Sequence, residues 1–276
     1  MPSRIIDDPC DIKLNDYDPD DTNGVKHKEA TALQAKLEAT LQRQQELLYA
    51  AGRQSVLIVL QGMDTAGKDG TIKHVMDGVN PAGCHVWNFK APTPEELAHD
   101  FLWRVHNRAP ANGMLAVFNR SHYEDVLVVR VHKLVPKDVW QERYDLINNF
   151  EHLLAHNNTI IFKFFLNISK DEQRQRLLAR EDDVTKAWKL SVDDWKERQY
   201  WDDYQAAYAD ALGKCGTKWA PWYIVPANKK WYRNLFILQT ITDRLATYEK
   251  DWNAELEERG KQELAALQAA NVHEEA

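Results

Sequence analysis

Apolar positions follow two rhythms along this chain. Short unbroken runs rich in Val, Ile, Leu and Phe occur at Ser55–Leu60, Met114–Asn119, Thr159–Leu166 and Trp222–Val225, with a weaker one at His85–Phe89. Runs of this length flanked by turn residues are predicted to be buried strands. Between them the spacing changes to three and four. Leu33, Leu37, Leu41 and Leu48 make a helical stripe over residues 28–51. Thr93-Pro94-Glu95-Glu96, Ser121-His122-Tyr123-Glu124 and Ser169-Lys170-Asp171-Glu172 each carry capping-box spacing and predict helix starts. Further helices are predicted over Lys68–Gly78, from Pro136 to His156, from Ser191 to Leu212 and from Lys229 to Lys250. Alternating strands and helices predict an α/β fold with a five-stranded parallel sheet covered on both faces.

The 276 residues, 44% of them hydrophobic, suffice for one large domain. We expect a polar irregular arm over 1–27, the domain over 28–250 and a charged tail over 251–276. In the arm, Asp16-x-Asp18-x-Asp20 lacks the glycine and the final Glu of a calcium loop. No apolar run approaches the ~18 residues of a membrane span, and the start has no apolar leader core. Cys10, Cys84 and Cys215 show neither metal spacing nor a disulfide framework, so a reducing cytoplasm is the expected setting.

A formal net charge of −7 argues against a nucleic-acid or anionic-membrane partner. Local charge differs. Between Trp103 and Lys133 stand Arg104, Arg108, Arg120, Arg130 and Lys133 against only Glu124 and Asp125. An acidic chain with one basic window suits a polyanion of limited size.

The sharpest chemistry follows the first strand. Gly62-Met63-Asp64-Thr65-Ala66-Gly67-Lys68-Asp69-Gly70 has the spacing of a Walker A loop, with Asp69 where that pattern asks for Ser or Thr. Backbone amides of Gly62, Thr65, Ala66, Gly67, Asp69 and Gly70 are candidates to cradle phosphates, and Lys68 supplies a compact cation. Asp64 reads as a metal ligand or as a turn residue, and Asp69 as a support for its helix N-terminus. Asn119-Arg120 ends the third strand on the rim where α/β sheets bind ligands. Arg120 can stabilise a transferring phosphoryl group. Arg176 and Arg180 share one helical face ahead of an aperiodic charged segment. They read either as lid arginines, with a lid over about 176–200, or as a solvated face.

Together these stretches resemble the polyphosphate kinase 2 family. The resemblance is carried by Gly62–Ile72, Phe118–Glu124, Phe101–His106, Ser169–Gln173, Ala220–Tyr223 and Pro226–Arg233, and spans about residues 14–245. It implies a thymidylate-kinase-like P-loop fold with a helical lid. It also implies reversible transfer of the terminal phosphoryl group of inorganic polyphosphate to ADP or GDP, and to AMP or GMP, with Mg2+. Asp64 would hold the magnesium, Lys68, Arg120 and Arg180 would stabilise the transferred group, and Arg104, Arg130, Lys133 and Arg176 would contact the polyphosphate. Asn119 stands where many members have Asp, and with Glu124 it resembles the subgroup accepting both mono- and diphosphates. A homo-oligomer, dimer or tetramer, is implied on the same ground. Two other readings stay open: an ATP-dependent P-loop kinase of a nucleotide or small hydroxyl substrate, and a phosphate-binding protein without turnover.

Overall fold

The protein, seen in a computed structural model that describes residues 4–181 and 192–270, is built on a six-stranded sheet. Residues 182–191 of the expected lid, and the chain's outermost residues at both ends, lie outside the described residues. Among the described residues no helix is long and apolar enough to cross a membrane.

The strands are β1 (Ile5–Ile6), β2 (Ser55–Gln61), β3 (Cys84–Asn88), β4 (Leu115–Asn119), β5 (Thr159–Asn167) and β6 (Trp222–Pro226), ordered β1-β6-β5-β2-β4-β3. β3 to β6 join β2 in a parallel set. β1 pairs antiparallel with β6, so the sheet is mixed with six strands rather than five and all parallel. The missed strand is only two residues long, too short to show a period. It forms because Ile224 N–H donates to the Arg4 carbonyl at 2.8 Å, while the Arg4 side chain pairs with Asp21.

Every residue of β2 and β5 is buried, as expected of central strands covered on both faces. One helical layer comprises α1 (His27–Ala51), α2 (Lys68–Val75), α10 (Lys230–Ala246) and α11 (Glu249–Ala269). The stripe on α1 buries Leu37, Leu41 and Leu48, whereas Leu33 stays partly exposed. The other layer holds α5 (Val128–Val131), α6 (Lys137–His156) and α9 (Trp201–Cys215).

Two predicted helices break for local reasons. Residues 93–108 form α3 (Pro94–Leu97) and α4 (Trp103–His106). Between them the Asp100 carboxylate accepts from Leu102 N–H at 2.9 Å and starts a new turn. The Thr93 capping box itself is present. After Ser121 there is a 3-10 turn, His122–Asp125, instead of an α-helix. Glu124 does not reach back to the Ser121 amide because its carboxylate accepts from Arg120. The helices α7 (Lys170–Glu181) and α8 (Val192–Glu197) flank the undescribed stretch.

Candidate functional site

Strand β2 is the point where the order turns, with β4 and β3 on one side and β5 and β6 on the other. Ligands in open α/β sheets bind at the carboxyl ends of strands at such a point. Three segments meet there: the loop after β2, Asn88-Phe89-Lys90 after β3, and Asn119-Arg120 after β4. With Arg180 they line a cavity of about 560 Å³ that includes Asp64, Thr65, Gly67, Lys68, Asp69 and Gly70. A second cavity of about 340 Å³ shares Thr65, Gly67, Gly70 and Arg180 and adds His74, Arg176, Lys230 and Arg233.

The loop between β2 and α2 is held from behind. Lys68 Nζ donates to the carbonyls of Gly62 at 2.7 Å and Met63 at 3.3 Å. Gln173 Nε2 donates to the Asp64 carbonyl at 3.1 Å. Arg176 Nη1 donates to the carbonyls of Thr65 and Ala66, at 2.9 and 3.0 Å. Thr71 N–H closes the series on Gly67 O at 2.8 Å. Each carbonyl from residue 62 to residue 67 thus has a donor. Two glycines are required by this winding. Gly62 has φ +154° and its missing Cβ would sit 2.9 Å from the Leu166 carbonyl. Gly67 has φ +103°, and a Cβ there would land on the Arg233 guanidinium.

On the rim, Arg120 reaches both acidic neighbours. Its Nη2 donates to Asp64 Oδ1 at 2.7 Å and its Nη1 to Glu124 Oε2 at 3.2 Å. Glu124 foremost, against the cost of burial, keeps this guanidinium firmly protonated. Burial, and then the charge of Arg120, lower the Lys68 pKa to about 8. Asn119 Nδ2 donates to Asp69 Oδ1 at 2.9 Å and to Asn88 Oδ1 at 2.8 Å, linking α2, β3 and β4. Asp69 therefore serves a rim contact where a Walker A hydroxyl would stand. Arg180 Nη1 donates to Asp194 Oδ2 at 2.7 Å.

The remaining expected phosphate contacts are placed differently. Arg176 is buried, with a partner for each of its five N–H donors: Glu172, Thr65, Ala66, Ala227 and Asn228. It lines the second cavity while its N–H donors brace the loop and the carbonyls of Ala227 and Asn228. Arg104 is also buried, paired with Glu96 at 3.1 Å and donating to the Lys90 carbonyl. Arg130 and Lys133 lie apart from the loop, in a cleft of about 690 Å³ with Lys137 and Trp140. Arg130 is bound there to Asp210 at 2.5 Å. Asn88, Lys90, Asp194 and Arg233 are site residues that motif reading missed. Only Arg233 had a signal, because it closes the Pro226–Arg233 stretch.

Among the described residues no cluster of three His, Cys, Asp or Glu side chains could hold a metal by itself. The rim offers Asp64, Asp69 and Glu124 as separate carboxylates, each already in one hydrogen bond. That donor set fits a hard cation that takes one or two protein oxygens and the rest from phosphates and water.

Residues 24–253 match the family described as Polyphosphate kinase 2 (PPK2). The chain belongs to the polyphosphate kinase 2 family. Among curated PPK2 relatives it is 53% identical over 236 residues to the AMP/ADP-polyphosphate phosphotransferase of Meiothermus ruber, covering 85% of this chain and 88% of that one. It is 46% identical over 236 residues to the ADP-polyphosphate phosphotransferase of Rhodopseudomonas palustris, covering 81% and 82%. The crystal structure of polyphosphate kinase 2 from Arthrobacter aurescens TC1 superposes with a TM-score of 0.84 at 47% identity, covering 86% of each chain. The mixed sheet with its phosphate loop is thus the PPK2 architecture.

Proposed function

We propose that the protein is a polyphosphate-dependent nucleotide kinase, transferring the terminal phosphoryl group of inorganic polyphosphate to a nucleoside diphosphate or monophosphate, and back. One observation carries this reading: two cavities flank a single phosphate loop and share Thr65, Gly67, Gly70 and Arg180. A nucleotide phosphate in one and a chain terminus in the other would meet end to end over the loop. The names of the PPK2 relatives support it, since they act on polyphosphate with AMP or ADP.

In this reading the loop amides and Lys68 hold phosphate oxygens. Arg120 and Arg180 face the group in transfer and offset its charge, which is where electrostatic stabilisation counts most. Phosphoryl transfer between two phosphates needs no protein nucleophile, only alignment and charge. Asp64 would hold Mg2+ together with substrate phosphates, and the ion would supply charge neutralisation. Arg130 and Lys133 are candidates for a distal stretch of the polymer, whereas Arg104 and Arg176 act on the protein's own backbone. The thymidylate-kinase-like fold with a lid over about 176–200, a cytoplasmic setting and a homo-oligomer belong to the same reading. They rest respectively on the family resemblance, the few scattered cysteines and the resemblance again.

The test is a coupled assay on the purified protein. ADP, long-chain polyphosphate and Mg2+ should give ATP without any other phosphoryl donor. If no ATP forms, yet the protein phosphorylates a nucleotide or hydroxyl compound from ATP, the polyphosphate reading is wrong.

A further inference from the structure

Behind the rim lies a charged cluster that touches no cavity described above. The side chains of His122, Glu151 and Lys163 have no exposed surface, and Tyr123 is fully buried beside them. Lys163 Nζ, on β5, donates to Glu151 Oε2 at 2.6 Å, to the Tyr123 hydroxyl at 2.8 Å and to the Cys215 carbonyl at 2.6 Å. Glu151, on α6, accepts from the Tyr123 hydroxyl at 2.8 Å through Oε1, and His122 Nε2 lies 3.1 Å from the same oxygen. Burial works to raise the Glu151 carboxyl pKa, but Lys163 and His122 outweigh it and hold it low. Burial and then Glu151 push the Tyr123 hydroxyl well above its ordinary range. The cluster is therefore a carboxylate bonded to a lysine amine, a neutral phenol and an imidazole whose Nδ1 has no partner.

A buried ion pair is a poor means of holding a core together, because desolvation cancels much of its attraction. It does fix directions. Two of its members, His122 and Tyr123, are among the three residues between Arg120 and Glu124. Arg120 has φ +63°, a left-handed backbone that an arginine keeps only where its surroundings impose it. Upstream, the Arg120 amide donates to the Leu60 carbonyl at 3.1 Å. Downstream, Ser121 Oγ accepts from Gln61 Nε2 at 3.1 Å and from Tyr123 N–H at 3.2 Å. The cluster then pins the next two side chains to β5 and α6.

We propose that Glu151, Lys163, His122 and Tyr123 form a positioning network that fixes the turn after β4, so that Arg120 and Glu124 meet the phosphate loop in register. The network does not touch substrate. It acts through Arg120, and it rests on the role given to that arginine under the proposed function.

The test uses the full chain in the ATP-forming assay. Glu151→Gln would strand the Lys163 ammonium and can cost the fold, so Tyr123→Phe is the decisive variant. It leaves Lys163 and Glu151 paired and His122 against Glu151, and removes only the hydroxyl through which Tyr123 joins them. The expected result is a fall in kcat of roughly tenfold, as for a misplaced catalytic group. KM for ADP and polyphosphate should stay within about twofold, and in an Arg120→Ala background Tyr123→Phe should lower the residual rate no further. A lower melting temperature with unchanged kcat, a change in KM alone, or losses that multiply in the double variant would each overturn the positioning role. If Arg120→Ala alone keeps the wild-type kcat, the role of Arg120 falls first and the network's role with it.

Discussion

Arg180 Nη1 donates to Asp194 Oδ2 across 2.7 Å, joining α7 to α8 at the edge of the main cavity. Burial, and next the charge of Asp64, raise the Asp194 carboxyl pKa. Even so, its side chain pairs with an arginine that, in the proposed reaction, belongs to a phosphate. Asp194→Asn removes that competitor. The expected outcome is a KM for polyphosphate or nucleotide lower by roughly two- to fivefold, the size of one partly exposed ion pair. Steady-state kinetics at fixed ionic strength check it, and an unchanged or higher KM would count against the competition.

Arg120 and Asp64 should be separable from folding. Both lie on the rim, and their own contact is partly exposed. Arg120→Ala is expected to lower kcat by roughly 10²–10³. Asp64→Asn should cause a comparable loss and weaken the dependence of rate on magnesium concentration. Circular dichroism should show both variants folded. A non-catalytic phosphate binder would instead keep its phosphate affinity as its only measurable property in every variant.

Lys68 gives opposite pH effects on binding and on stability. Its pKa is lowered to about 8 in the folded chain, from an ordinary 10.5. As pH rises through 8 the ammonium is lost, so phosphate affinity of the free enzyme should fall. The unfolded chain still binds that proton up to about pH 10.5, so this group's contribution to folding stability rises between pH 8 and 10.5. Lys68→Met should abolish both trends. Titration calorimetry with a phosphate ligand and denaturant melts across pH 7–10 measure the two arms.

Arg176 is expected to behave as a structural residue although it sits beside the site. Arg176→Met would leave the carbonyls of Thr65, Ala66, Ala227 and Asn228 short of a donor. We expect a stability loss of roughly 2–4 kcal/mol and a melting temperature lower by about 5–10 °C. Arg180→Met, by contrast, should affect rate more than stability. Thermal melts of the two variants distinguish them.

The sequence made the sheet core and the loop readable because both rest on local patterns. An unbroken run such as Ser55–Leu60, short and bounded by turn residues, reads as a central strand, and the Gly62–Gly67 spacing carries the pattern of a phosphate loop. Asn119-Arg120 could be placed on the same rim, since strand ends in a parallel sheet point one way. Side-chain commitments were not readable. Arg176 and Arg180 look alike at one turn's separation and both line the second cavity, yet one binds four backbone carbonyls and the other reaches the main cavity as well. That difference depends on Ala227 and Asn228, about fifty residues away. Asn88 and Lys90 were missed because β3 is a weak, partly exposed edge strand whose end carries no motif. The Ser121 capping box failed because Glu124 had a stronger partner in Arg120. The two-residue strand at Ile5–Ile6 forms by pairing with β6, a partner more than two hundred residues away.

The carbonyls from Gly62 to Gly67 are satisfied from within the fold, by Lys68, Gln173, Arg176 and the first turn of α2. Such a loop keeps its winding when empty. In the proposed reaction a phosphate arriving there meets a backbone already wound, and the protein has little conformational freedom left to lose at that point. The entropy given up on binding would then belong mainly to the incoming polymer, a flexible chain that must surrender its end to a rigid seat. Affinity at this loop should accordingly vary more with the length and stiffness of the phosphate chain than with any rearrangement of the loop itself.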